Sequence, residues 1–440
     1  MKKMNSALGV MAVLLLAGAA AHAQVAPAAT RPALPVNGNL HYDLRFSETA
    51  QFDGSQGDQQ WSMVSGDASY ANTGKRYPFT LQYGGGYDLP WAGQSSTGNV
   101  FQHLSLSQGF IGRAWNLNAG DNVSYSFETP TVGFSGVPGS GGSIGDLGST
   151  SSSDQSILAL NTRSLDNTAM LSASRRLDRA TSLNLGGTWG ELLYIDNNGL
   201  NTDTLTANAG VSRRLDAHNS IAGEYSFSRY SYSKASLITQ TNIAQCTFTR
   251  QWNRRLSTTA SLGPEWLASS GLPSTSGIAM PNSTALFIAA SASYQLRRES
   301  AGAIYSHGTN NGSGYFLGAK IDTVNGNFSR EFGRNMTVGA TGSYSRTTAL
   351  IKAELIFETN GSIYIEPLNF AGQTNSRFAG AQATRQLGRY ISIFANYTAI
   401  DQSSNWSIAQ LGNNVNLISG LYQVVGFGIG YSPREIHLRR

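Results

Sequence analysis

Apolar and polar residues alternate with a period of two along much of the chain. From Ser220, residues Ile221, Gly223, Tyr225 and Phe227 fall on one face, and Ser220, Ala222, Glu224 and Ser226 on the other. From Tyr390, residues Ile391, Ile393, Ala395 and Tyr397 alternate with Ser392, Phe394, Asn396 and Thr398. The segments from Ser182 (Leu183, Leu185, Gly187, Trp189) and Met336 (Val338, Ala340, Gly342, Tyr344) behave alike. A period of two specifies β-strands, because successive side chains leave opposite faces of the pleated backbone. The apolar face closes on an aromatic in copy after copy: Trp189, Tyr225, Trp266, Tyr305, Tyr344 and Tyr397. The other face is rich in Ser, Thr, Asn and Gly. A membrane-spanning strand of about 9–11 residues has this pattern, lipid outside and water inside, with an aromatic girdle at the interface.

The strands come as repeated hairpins. Arg175-Arg-Leu177 leads through Asp-Arg into TSLNLGGTW, and Arg213-Arg-Leu215 leads through Asp-Ala-His into SIAGEYSF. Arg250-Gln-Trp252, Arg330-Glu-Phe332 and Arg385-Gln-Leu387 open further copies, and Tyr294-Gln-Leu296 a looser one. Leu177, Leu215, Trp252, Phe332 and Leu387 would form a second, less aromatic girdle. These short turns alternate with long connections at 133–153, 269–281, 350–372 and 403–416. Short periplasmic turns and longer outer loops are the expected asymmetry. Within 350–372, Asn360-Gly361 between two apolar runs predicts a two-residue hairpin turn. The fold expected is all-β: a transmembrane, antiparallel, up-and-down outer-membrane β-barrel of about 18 strands, with 16 as the alternative, because an even number brings both ends to one side. It would run from near Leu40 to near Tyr431. A soluble sandwich also alternates, but its core face needs larger side chains than the many Ala and Gly found here.

Composition supports the barrel. The chain has 49 Gly, 19 Tyr, 18 Phe and 7 Trp, with 13% charged residues, against about 25% in a soluble domain. Lys2 and Lys3, the apolar run Ala7–Ala20 and the small-x-small triplet Ala21-His22-Ala23 form a predicted signal peptide, residues 1–23, cleaved after Ala23. The run is too short for a permanent spanning helix. Residues 24–39 read as a Pro/Ala-rich periplasmic linker and 432–440 as a periplasmic tail. A TonB-dependent transporter is not expected, because a leader this short has no room for a plug domain. Cys246 is the only cysteine, so no disulfide framework is expected; it shares the apolar face of Phe248 and Trp252. A net charge of +5 gives no case for nucleic acid. No Cys/His zinc spacing is present, and no cofactor or metal is expected.

The segment VVGFGIGY, ending at Tyr431, resembles the C-terminal signal read by the outer-membrane assembly machinery; Gly426, Ile429 and Tyr431 match its alternation. Val424 stands where a polar residue is usual, and SPREIHLRR follows. The phrases SRRLDRATSLNLGGTW and SRRLDAHNSIAGEYSFSRY resemble β-barrel porins encoded with exopolysaccharide and PEP-CTERM (exosortase) systems, over roughly residues 165–431. The resemblance implies a barrel serving polysaccharide export or surface assembly. It carries no defined functional residue.

A channel reading points to charged residues on the water face. Parity places Glu224 and Glu265 inward on upward strands, and Lys320 and Asp322 inward on a downward strand, with Leu317, Ala319 and Ile321 toward lipid. Arg176 and Arg214 point inward at the periplasmic rim, where a ring of arginines would favour anions. Arg175, Arg213, Arg250 and Arg385 take the lipid parity, where snorkelling to head groups is the simple account. Asp121 takes the lipid parity of Leu117 and Val123, so a bulge shifts the register or Asp121 meets a neighbour. Ser306-His307 is the nearest approach to a catalytic pair, but adjacent strand residues face opposite ways, and no nucleophile elbow or zinc-protease motif appears. The partners expected are membrane lipid and lipopolysaccharide, the assembly machinery, and hydrophilic solutes or polysaccharide; a homo-oligomer is compatible. The alternative is a surface-interaction barrel acting through its long loops.

Overall fold

The computed structural model describes residues 39–53, 59–72, 76–91, 98–127, 159–160, 163–195, 200–233, 237–271, 282–310, 316–358, 363–367, 371–405, 410–411, 416–417, 420–433 and 436–437. The predicted signal peptide, the linker before residue 39 and the connection 133–153 lie outside them.

Eighteen long strands close into one antiparallel barrel. The first six are β1 (Asn39–Asp53), β2 (Gln59–Asn72), β3 (Phe79–Pro90), β4 (Asn99–Ile111), β5 (Trp115–Phe127) and β6 (Arg163–Arg176). The next six are β7 (Thr181–Tyr194), β8 (Thr202–Arg214), β9 (Asn219–Tyr232), β10 (Leu237–Gln251), β11 (Leu256–Ser270) and β12 (Ser283–Gln295). The last six are β13 (Glu299–Asn310), β14 (Ala319–Phe332), β15 (Met336–Ala349), β16 (Gln373–Gln386), β17 (Ile391–Ser404) and β18 (Gly420–Tyr431). Each strand pairs with its sequence neighbour. β1 pairs with β18 from Leu44↔Tyr431 to Asp53↔Tyr422, which closes the wall. Closure satisfies the backbone groups that lipid cannot, the condition for strands to cross a membrane.

The short turns show why the repeated phrase recurs. In the first, Asp178 Oδ1 accepts hydrogen bonds from the amides of Ala180 (2.6 Å) and Thr181 (2.7 Å), while Leu177 N–H donates to the Thr181 carbonyl (3.0 Å). Asp216 does the same for His218 and Asn219, and Asn253 for Arg255 and Leu256. A side-chain oxygen thus caps the turn that aligns each strand pair. In the Arg330-Glu-Phe332 copy, Gly333 takes a φ of 67° instead, a conformation glycine adopts without strain. The strand ends that the long connections join lie at the other end. There 353–358 and 363–367 form a hairpin, Phe357 pairing with Ile363. Five residues separate that pair (358 to 362), so its register is offset by one from that of the expected two-residue turn; Asn360 and Gly361 lie outside the described residues.

The outward face is apolar. Leu44, Phe46, Val64, Leu104, Val211, Phe248, Phe328, Phe427 and Ile429 all lie exposed on it. Trp189, Tyr225, Trp266, Tyr344 and Tyr397 are exposed on the same face, and Tyr305 joins them by its pairing with Val324. The girdle tyrosines satisfy their hydroxyls along the surface: Tyr225 bonds Asn242 (2.6 Å) and Tyr397 bonds Gln423 (2.8 Å). At the short-turn end, Arg250 stacks over Trp252 (3.9 Å to the ring centroid), Arg330 over Phe332 (5.0 Å) and Arg175 over Trp115 (5.4 Å). These outward arginines therefore lie against interfacial aromatics. Cys246 is exposed on the outward face.

Candidate functional site: the inner wall

Residues directly opposite in a ladder share a face, so the register assigns every inward side chain. The lower part of the wall, toward the short turns, carries Ser, Thr, Asn and Gly, many joined across strands. Thr247 bonds Ser261 (2.8 Å), Ser257 bonds Ser293 (2.7 Å), and Asn184 bonds Ser212 (3.2 Å). Toward the long loops the wall becomes apolar. Phe378, Ile400, Tyr422 and Val424 form one buried cluster, and Tyr194, Tyr230, Tyr232 and Leu237 are buried on the inward face of β7, β9 and β10.

Set into this wall is a band of carboxylates. Asp43 on β1 lies opposite Asp67 on β2, and Asp67 lies opposite Gly84 on β3, which lies opposite His103 on β4. The same row continues through Ser124 to Asp166 on β6. Asp88 stands on the inward face of β3, opposite Met63 and Asn99. Arg45 is ion-paired to Asp43. Thr168 donates to Asp166 (3.2 Å). Farther round, Glu224 faces inward between Gly210 and Gln245 and accepts a hydrogen bond from Asn208 (3.1 Å). Arg176 and Arg214 sit inward at the short-turn rim, opposite Ser182 and Ser220, both exposed. Above that rim, the described inward basic residues are Arg45 and His103.

Glu265 faces inward on β11 but is 1% exposed. Its Oε1 accepts from the backbone amide of Thr309 (3.2 Å) and from the Thr309 hydroxyl. Thr309 belongs to β13, two strands away.

Lys320 and Asp322 are a correction to the expectation. They share the face of Val324 and Phe328, the outward one, whereas Ala319 and Ile321 turn inward and are buried. Leu317, just before β14, is buried too. The parity rule assumed that apolar residues here meet lipid. This part of β14 lies above the aromatic girdle, where apolar side chains bury inside the mouth instead. Asp322 pairs with His307 (2.6 Å), while Ser306 bonds Thr323 (2.6 Å) on the opposite face. The Ser306-His307 pair is therefore not brought together.

Asp121 also has a definite place. The β4–β5 and β5–β6 ladders run through it without a bulge, opposite Leu106 and Ala169, so it faces outward. The Asp43, Asp67, Asp88, His103 and Asp166 set escaped the sequence reading, although Tyr42-Asp43-Leu44-Arg45-Phe46-Ser47 shows the alternation that assigns β1.

An apolar outer belt with girdle aromatics, a polar inner wall, full closure and short turns at one end define an outer-membrane-type transmembrane β-barrel. No family model matches the chain, and no curated protein does. Among solved structures it is similar to Pseudomonas aeruginosa OccK2 (OpdF) in complex with glucuronate, at 11% identity over 90% of this chain and 98% of that one, with a TM-score of 0.42. It is similar also to Acinetobacter baumannii OccAB3, at 8% identity over 90% and 99% of the two chains (TM-score 0.42). A third is P. aeruginosa OpdL, at 10% identity over 91% and 99% (TM-score 0.41). No residue's role is carried over from them.

Proposed function

We propose that the barrel is a passive channel for small hydrophilic solutes and that it favours cations. The observation that carries this is the inward set Asp43, Asp67, Asp88, Asp166 and Glu224, opposed above the rim by Arg45. A charged lining of one sign in a low-dielectric wall concentrates counter-ions and sets selectivity. An ~18-strand barrel is wide enough to hold a water-filled lumen. The rim arginines Arg176 and Arg214 stand at the entrance, in contact with bulk water, where their field is screened within about 10 Å.

The test is single-channel recording in a planar bilayer, with selectivity read from the reversal potential under a salt gradient. The wild-type channel is expected to pass cations in preference to anions. A variant carrying Asp67→Asn, Asp88→Asn, Asp166→Asn and Glu224→Gln is expected to lose most of that preference. A folded, heat-modifiable barrel that conducts nothing refutes the channel, and anion preference refutes the role given to the carboxylates. A narrower assignment, to polysaccharide export or surface assembly, rests on the repeated Ser-Arg-Arg-Leu phrase. Loss of surface polysaccharide on deletion of the protein would support it.

A further inference from the structure

The β12–β13 ladder stops before its strands do. Pairing ends at Ile288↔His307, although β12 begins at Ser283 and β13 runs to Asn310. Above that point β13 leaves the wall and crosses its neighbours from inside. Gly308 still lies beside Phe287, its neighbour in the continued register, with a Cβ position 3.1 Å from the inward ring. The next residue, Thr309, reaches the inward carboxylate of Glu265 on β11. The Thr309 hydroxyl also meets that of Thr241 on β10 (3.3 Å). One strand end thus reaches past its neighbour β12 to the inner faces of β11 and β10.

β14 follows β13 inward. The two remain paired up to Asn310↔Ala319, and Ala319, Ile321, Leu317 and Phe316 are all buried. The Oε2 of Glu265 is buried without a hydrogen-bond partner. What ties the hairpin end to the wall is Oε1, which accepts from both the amide and the hydroxyl of Thr309, a charge-assisted pair stronger than neutral hydrogen bonds. The break lies just beyond Tyr305 of the girdle, so the inward fold starts where lipid ends.

We propose that the upper ends of β13 and β14 form a lid folded into the extracellular mouth, clasped to the inner wall by Glu265 through Thr309 and Thr241, and that this clasp sets the pore's size limit. The proposal rests on the channel reading and adds a residue that determines which solutes fit. Glu265 is a positioning residue here: it holds the lid, and its loss widens the mouth.

The test uses the full chain in a Cys246→Ser background. Thr241→Cys with Thr309→Cys places two thiols where the hydroxyls now meet, and oxidation locks the lid. Conductance and the size cut-off for neutral sugars in liposome swelling are measured for the locked form, the reduced form and Glu265→Ala. The expected result is a cross-link under mild oxidation, wild-type conductance when locked, and a conductance roughly doubled or more, with a larger size cut-off, in Glu265→Ala. Heat-modifiable migration shows that each variant has folded. A Glu265→Ala channel with the conductance and cut-off of the locked form overturns the lid while leaving the channel standing. A cross-link that does not form overturns the clasp. Silence in every variant refutes the channel, and the lid with it. A silent wild type beside a conducting Glu265→Ala would support the lid and refute a constitutively open pore.

Discussion

Asp121 offers the sharpest test of the outward register. Trp115 opens β5 at the short-turn end, and Asp121 stands six residues above it. At about 3.3 Å per residue and a strand tilt of about 40°, six residues climb roughly 15 Å. The apolar band is about 25 Å tall, so the carboxyl lies near its middle. Leu106 and Ala169 flank it, and its Oδ1 has no hydrogen-bond partner. A Lys or Arg on the lipid face at that depth costs about 2–4 kcal/mol, and an acid less. Asp121→Ala is therefore expected to stabilise the barrel by about 1–2 kcal/mol. Asp121→Asn should recover only part of this, since the amide is still polar. Reversible urea unfolding from lipid vesicles, with Trp fluorescence as the probe, measures both. A loss of stability of about 1 kcal/mol or more in Asp121→Ala would refute the reasoning.

Three further outcomes follow from the same register. Ala207 faces outward between Gly187 and Phe227, and Asn208 faces inward beside Glu224; Ala207→Arg should cost about 2–4 kcal/mol in vesicles, whereas Asn208→Arg should fold normally and weaken cation preference. A Cβ on Gly263 would lie 1.9 Å from the Ala244 carbonyl oxygen, so Gly263→Ala should cost about 1–3 kcal/mol or more and shift the urea midpoint down. Hydrogen bonds from the Ala180 and Thr181 amides hold Asp178 below the usual carboxylate range, and bonds from the Asn219 side chain and the His218 and Asn219 amides do so for Asp216. Their contribution is present above the ordinary carboxylate range and lost as pH falls through the depressed folded-state value; the stability gap between wild type and Asp178→Ala should therefore close in acid, and a gap unchanged at low pH would refute the ionic cap.

The girdle residues Trp189, Tyr225 and Trp266, and the inward Glu224, were legible because each sits in a strand with unbroken alternation, and parity alone then decides its face. The repeated Arg-Arg-Leu-Asp phrase marked the turns, though not the reason for its Asp, which is the cap on the two following amides. Lys320 and Asp322 were misassigned because alternation gives parity but not the medium that each face meets. Asp43, Asp67, Asp88, His103 and Asp166 lie far apart in the chain, and only the ladder brings them into one region of the wall.

The sequence by itself determined the strands, their approximate number, the grouping of the short turns at one end and, for the strands of unbroken alternation, the lipid-facing parity. All of these are local: they follow from a two-residue period and from turn chemistry within a few residues. Closure through β1 and β18, the carboxylate band across β1 to β6 and the departure of β13 from its ladder were decided only in the tertiary structure. Pairing between strands sets which distant residues face one another, and no local period contains that information.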